Sequence, residues 1–183
     1  MEKITYQGKL IEVVEKTVEI NGKEKVFEFA RRSPGVRLVI PSGEGFLISK
    51  EFRHELDGYD YRLPGGKVFD SLEEYNTFLA SGEDIIEAAK RAATKEAKEE
   101  LGIETSDITF FHKSVCGATV VWDLFYFIVN LHTKGTQTLE EGEDITEEVV
   151  SKERIKEMCL SGEISEERSA LVILRYLKQL SGL

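Results

Sequence analysis

The sequence predicts an α/β (α+β) sandwich: helices on the faces of a mixed β-sheet, preceded by an antiparallel β region. Three observations predict it. Strand-like runs fill the first half of the chain, an alanine-rich helical stretch follows, and two further strand-like runs lead into two terminal helices.

The elements follow in order. Residues 11–20 alternate loosely, Asn21-Gly22 is a two-residue hairpin signal, and residues 25–30 continue as a second strand. "VRLVI" and "GFLISKEF" flank the turn "PSGEG" as a second hairpin with buried arms, and "LPGG" at 63–66 is another turn. A helix is expected from about residue 82 to 101. Ser81 serves as its cap, Asp84 lies in its first turn, and Gly102 closes it. "DITFFHKSV" and "VVWDLFYFIVNLHT" read as two strands, and "KGTQTLEEGED" as an acidic loop. "ITEEVV" is a short strand, and helices over 152–160 and 166–180 end the chain. The domain division expected is a β region at 1–30, then one domain over 31–183.

Composition excludes several classes. With 183 residues, 41% hydrophobic and 32% charged, the chain has the make-up of a globular protein with a real core. No apolar run approaches the roughly 20 residues that span a bilayer, and the start "MEKITYQGKL" has no signal-peptide pattern, so a cytoplasmic protein without membrane contact is expected. The two cysteines lie far apart, which argues against a disulfide framework or a zinc site. A net charge of −10 with no basic stripe argues against nucleic acid and suits a protein that recruits divalent cations.

The sharpest local feature is "KEAKEELGI", residues 95–103. Glu96, Glu99 and Glu100 fall at helical spacing on one face, where their carboxylates repel. Alone, such a cluster reads as a solvated acidic face, neutralised by Lys95 and Lys98. Oxygen donors at that spacing also suit Mg²⁺ or Mn²⁺. On the opposite face, Ala88, Ala89, Ala92 and Ala93 with Ile85 and Ile86 let the helix lie close to a sheet.

These residues closely resemble the end of the Nudix box, G-x5-E-x7-R-E-U-x-E-E-x-G-U with U apolar. Glu87, Glu96, Glu99, Glu100, Gly102 and Ile103 match it, with Ala97 as an apolar position. "LPGGKV" resembles the turn that opens the box in the ADP-ribose pyrophosphatase branch, and "SKEFRHEL" and "EEGEDITEEVVSKERIKEMCLSGEI" resemble that branch's strand end and C-terminal portion. The resemblance implies an α/β/α sandwich and a metal-dependent hydrolase that cuts a nucleoside diphosphate linked to another group, ADP-ribose or a nucleotide sugar being favoured. It also implies Mg²⁺ or Mn²⁺ as cofactor, a small-molecule nucleotide substrate, and a homodimer built through the N-terminal strands. Glu96 and Glu100 would ligate the metal with the Gly65 carbonyl, and Glu99 would serve a second ion. In the loop 140–144, Glu141 would be the catalytic base and Glu143 a further ligand.

Arg53, Arg62 and Gly66 are the substrate-contact candidates, a structural salt bridge being the alternative for Arg53. Trp122 reads as core, with stacking against a base as the alternative, and Cys116 as inert. The chain departs from the pattern at Lys95, where the family has arginine, and at Arg62, where a glutamate is usual. It also carries an insertion over about 67–81, expected as a surface excursion. A catalytically weak nucleotide-binding module, a hydrolase of triphosphates or dinucleoside polyphosphates, and a structural protein with an acidic face are the competing readings.

Overall fold

The computed structural model describes residues 2–54, 57–139 and 144–182. Strands β1 (Glu2–Gln7), β2 (Glu12–Ile20) and β3 (Lys23–Arg31) form an antiparallel meander. The hairpin between β2 and β3 turns on Asn21 and Gly22, both left-handed (φ 53° and 74°), which matches the twist of the strands it joins. At the far edge, β8 (Val120–Val121) pairs parallel to β3, so this sheet runs β1-β2-β3-β8.

The main sheet is mixed. It contains β4 (Gly35–Ser42), β5 (Gly45–Arg53), β6 (Gly58–Arg62), β7 (Ile103–Ser114), β9 (Leu124–Lys134) and β10 (Ile145–Ser151). The order is β10-β5-β4-β9-β7, with β6 on β5; β4 and β9 run parallel and the other pairs antiparallel. Side chains alternate across β4. Val36, Leu38 and Ile40 join the core under helix α2 (Ile85–Leu101), while Val39 joins the core under α3 (Lys152–Ser161) and α4 (Glu167–Leu180). Helices therefore cover both faces, as the sequence predicts.

The alanine face of α2 behaves as expected. Ala89, Ala93 and Ala97 are wholly buried against β4, β7 and β9, so the backbone lies close to the sheet. A leucine at Ala89 would overpack that seam, at a cost of about 1–3 kcal/mol.

Three local expectations are corrected. The helix expected over 82–101 is preceded by a separate helix, α1 (Leu72–Ser81). Ser81 does not cap α2: it ends α1, Gly82 closes that helix, and the Asp84 carboxylate caps α2 by accepting from the Ile86 amide. Ser71 is the side chain that caps α1. The segment expected as an insertion thus carries an ordered helix, most of whose residues stay at the surface. Leu72 and Tyr75 are buried, and Asn76 donates to Glu12 (3.1 Å), a carboxylate with no exposed surface that also accepts from Arg31 (2.6 Å). Finally, the aromatic run expected as one strand is broken between Val121 and Leu124, and its first two residues belong to the N-terminal sheet. Periodicity carries no sign of a strand changing sheets. No helix is long and apolar enough to cross a membrane among the described residues.

Candidate active site

Strands β4 and β5 pair only where Ile40–Ser42 meets Gly45–Leu47 and then diverge. The segment 63–66 fills the gap: Leu38 N–H donates to the Pro64 carbonyl and Val36 N–H to that of Gly66, both at 2.9 Å. Beside it opens a cleft of ≈ 400 Å³, walled by β4, β5, this turn and one face of α2. A larger groove of ≈ 590 Å³ lies between α3 and α4, away from the glutamate cluster.

The turn and α2 fit tightly together. Gly65 has a φ of +137°, and a Cβ there would collide with the Val36 carbonyl; a Cβ on Gly66 would collide with the Glu96 carboxylate. The glycines thus allow close approach of backbone to carboxylates. The Gly65 amide donates to Glu100 Oε2 at 2.7 Å. Glu100 is pushed up to about 8, chiefly by burial and then by the charge of Glu96, with the Gly65 hydrogen bond and Arg37 pulling the other way.

Glu99 stands apart. It does not line the cleft, and its carboxylate pairs with Lys95 at 3.7 Å on the outside of the helix. Lys95 also reaches Asp70 at 3.6 Å, ahead of α1. The other wall is cationic. Arg53 pairs with Glu51 at 2.7 Å, and Arg62 pairs closely with Asp60 and lies 3.7 Å from Glu51. The Nε atoms of Arg53 and Arg32 are buried without an acceptor. Arg32 also makes no ion pair among the described residues; burial, then the charges of Arg37 and Arg168, lower its pKa.

Trp122 is partly buried in the cleft wall, with the guanidiniums of Arg32 and Arg168 at 4.4 and 4.3 Å from its ring. A nucleobase stacking on this indole would have to displace one of them.

The proposed base Glu141 and ligand Glu143 lie outside the described residues. The chain on either side is anchored at the site. Gln137 Nε2 donates to the Glu100 carbonyl (2.6 Å), the Thr138 amide to that of Glu99 (3.0 Å), and the Phe52 amide to that of Asp144 (3.0 Å).

Sequence reasoning missed Arg37, Glu51 and Arg32. Arg37 is buried, donates Nε to Glu166 (3.1 Å) and Nη1 to the Gly65 carbonyl (3.2 Å), and lines the cleft. A charged residue inside the apolar run "VRLVI" was the available signal. Glu51 and Arg32 carried no local signal, because divergence of the strands is what brings them into the cleft.

The donors suit a hard cation in kind. Glu96 and Glu100 carry oxygen donors crowded against a backbone turn, and the Glu100 carboxyl is held above its usual range by burial and by Glu96. Among the described residues, however, no three acidic, histidine or cysteine side chains converge as a ready ion site.

No protein-family profile matches the chain, and no curated protein is similar to it. Among solved structures it is similar to one titled "Crystal structure of ADP compounds hydrolase", with a TM-score of 0.73 at 18% identity, over 100% of this chain and 92% of that one. The chain has the fold of that structure, and the α/β/α sandwich implied by the sequence is the architecture found.

Proposed function

We propose that this chain is a divalent-metal-dependent Nudix hydrolase that cleaves the diphosphate of a nucleoside diphosphate linked to another group, ADP-ribose or a nucleotide sugar before a triphosphate. One observation carries the reading. Glu96 and Glu100 are pressed against the 63–66 turn in a cleft that the cationic side chains Arg32, Arg37, Arg53 and Arg62 also line. A diphosphate bound there would meet cations held by the carboxylates and guanidinium groups from the arginines. The hydrolase title of the structural relative agrees with this reading.

Glu96 and Glu100 would hold Mg²⁺ or Mn²⁺, which supplies charge neutralisation and an acidified water. Arg53, kept in place by Glu51, would orient the phosphates, and Arg62 holds Asp60 and Glu51 beside it. Gly66 contributes by letting Glu96 approach, since its own carbonyl is taken by Val36. Glu99 would serve a second ion after leaving Lys95. Glu141 remains the proposed base and Glu143 a further ligand, on a loop whose flanks are anchored to α2 and β5. The exposed apolar residues Ile4, Tyr6, Val26 and Phe27 on the N-terminal strands support a second copy of the chain as partner, and the cytoplasm is the compartment this reading assigns.

A catalytically weak binding module is the competing reading, favoured by Lys95 in the arginine position and by the absence of a ready three-ligand site among the described residues. The test is a substrate panel of ADP-ribose, sugar nucleotides, dinucleoside polyphosphates and triphosphates, each assayed with Mg²⁺ and with Mn²⁺. Metal-dependent release of a nucleoside monophosphate from ADP-ribose or a sugar nucleotide is the expected outcome. Tight nucleotide binding without turnover on any member would replace the hydrolase by the module.

A further inference from the structure

Arg37 is a buried cation in a strand whose neighbouring residues are apolar, and the cleft gives it specific work. Its Nε donates to Glu166 Oε2 at 3.1 Å, just ahead of α4. Its Nη1 donates to the carbonyls of Val36 (2.9 Å) and Gly65 (3.2 Å). Glu166 is held in turn by the Ser169 hydroxyl at 2.6 Å, and Ser169 lies 3.3 Å from the Tyr126 hydroxyl. A planar guanidinium with its donors engaged in this way has little freedom to swing aside.

The position of Gly65 makes this consequential. Its amide donates to Glu100, so the residue whose N–H holds one carboxylate presents its carbonyl to a fixed positive charge. A carbonyl oxygen has a second lone pair. Using it for a metal ion would place a divalent cation against a guanidinium on the same atom.

We propose that Arg37 is a positioning residue that competes with the divalent cation: it claims the Gly65 carbonyl and weakens metal binding at Glu96 and Glu100 while the cleft is empty of substrate. The inference rests on the metal-dependent reading above and deepens it. An anionic substrate that draws cations into the cleft would offset the repulsion, so metal and nucleotide bind with positive coupling.

The test uses the full chain and Mn²⁺ alone, with free ion counted by electron paramagnetic resonance and no nucleotide present. Arg37→Met removes the like charge and frees the carbonyl, and should bind Mn²⁺ at least about tenfold more tightly than the unmodified chain, the gain expected for removing a charge near a divalent ion even under bulk-water screening. Arg37→Lys, which keeps the charge without the fork, should tighten binding less. Because Arg37→Met leaves the partly buried Glu166 with only the longer pair to Arg168 (3.8 Å), the double variant Arg37→Met/Glu166→Gln is measured beside it and should show the same gain.

A purely structural role for Arg37 would loosen the site, so unchanged or weaker Mn²⁺ binding in the folded double variant overturns the proposal. If the unmodified chain binds Mn²⁺ and the variants bind no tighter, only this inference falls. If no variant binds Mn²⁺ at millimolar concentration, the metal-dependent reading falls with it.

Discussion

Two carboxylates, Glu12 and Glu100, show what burial means in this protein. Glu12 is fully buried, yet Arg31 and Asn76 hold both its oxygens, at 2.6 and 3.1 Å. Glu100 is partly buried among other acids, accepts one backbone hydrogen bond, and is pushed up to about 8 by burial and by Glu96. The first is a joint, closing the N-terminal sheet onto α1 with matched charges. The second is an unbalanced site, which the proposed cation would neutralise. Strong perturbation inside a cleft, with glycine backbone built up against it, is what the proposed role of Glu100 as a cation ligand calls for.

The contrast can be broken at either residue. The largest effect is expected at the unbalanced one. Glu100→Gln should lower turnover by about 100-fold or more at saturating Mg²⁺. Without metal, its thermal midpoint should equal or exceed that of the unmodified chain, because repulsion with Glu96 is relieved. Wild-type-like rates would remove the metal assignment, and a collapsed midpoint would make Glu100 a second joint.

At the matched carboxylate the effects should be reversed. Glu12→Ala leaves Arg31 largely buried with only Glu2 as its remaining carboxylate partner, and should cost about 3 kcal/mol in chemical denaturation. The kcat of the folded fraction should stay near that of the unmodified chain. Turnover falling with little change in stability would mean that the N-terminal sheet shapes the site directly.

Acid sharpens the comparison through Glu166, a third carboxylate. Burial would raise its pKa, but the charge of Arg37 and hydrogen bonds from Ser169 and Arg37 outweigh it and hold the carboxyl below its usual range. Its folded value thus lies below the ordinary 4.5, so its contribution is complete above about pH 4.5 and is lost as the pH falls through the folded value. Thermal midpoints of the unmodified chain and Glu166→Gln should therefore differ at pH 6 and converge under acid. A gap that stays constant under acid would count against the ion pair as its source.

The smallest effect belongs to Lys95, whose pairs with Asp70 and Glu99 are solvent-exposed. Lys95→Arg should change stability by less than about 0.5 kcal/mol. A larger loss in a denaturant titration would mean that the tie to Asp70 helps hold α1.

Much of this protein was legible in its residues alone. Asn21-Gly22, the alanine stripe of α2 and the buried hairpin arm that becomes β4 act through near neighbours or across one turn, so periodicity and turn chemistry reveal them. The facing of Glu96 and Glu100 is likewise set by helical spacing. The inserted segment was less legible, although Ser71 before "LEEY" is a cap signal and Leu72 and Tyr75 are apolar; what makes the segment an ordered part of the fold is its contact with Glu12, distant in the chain.

Only the tertiary structure decided the rest. β4 and β5 pair for three residues and then part, and that divergence brings Glu51, Arg53 and Arg37 around a turn laid between them. It also gave the Gly65 carbonyl to Arg37. Local spacing determines which side chains share a face. Which distant charge meets that face depends on how two strands separate, and no short-range pattern encodes it.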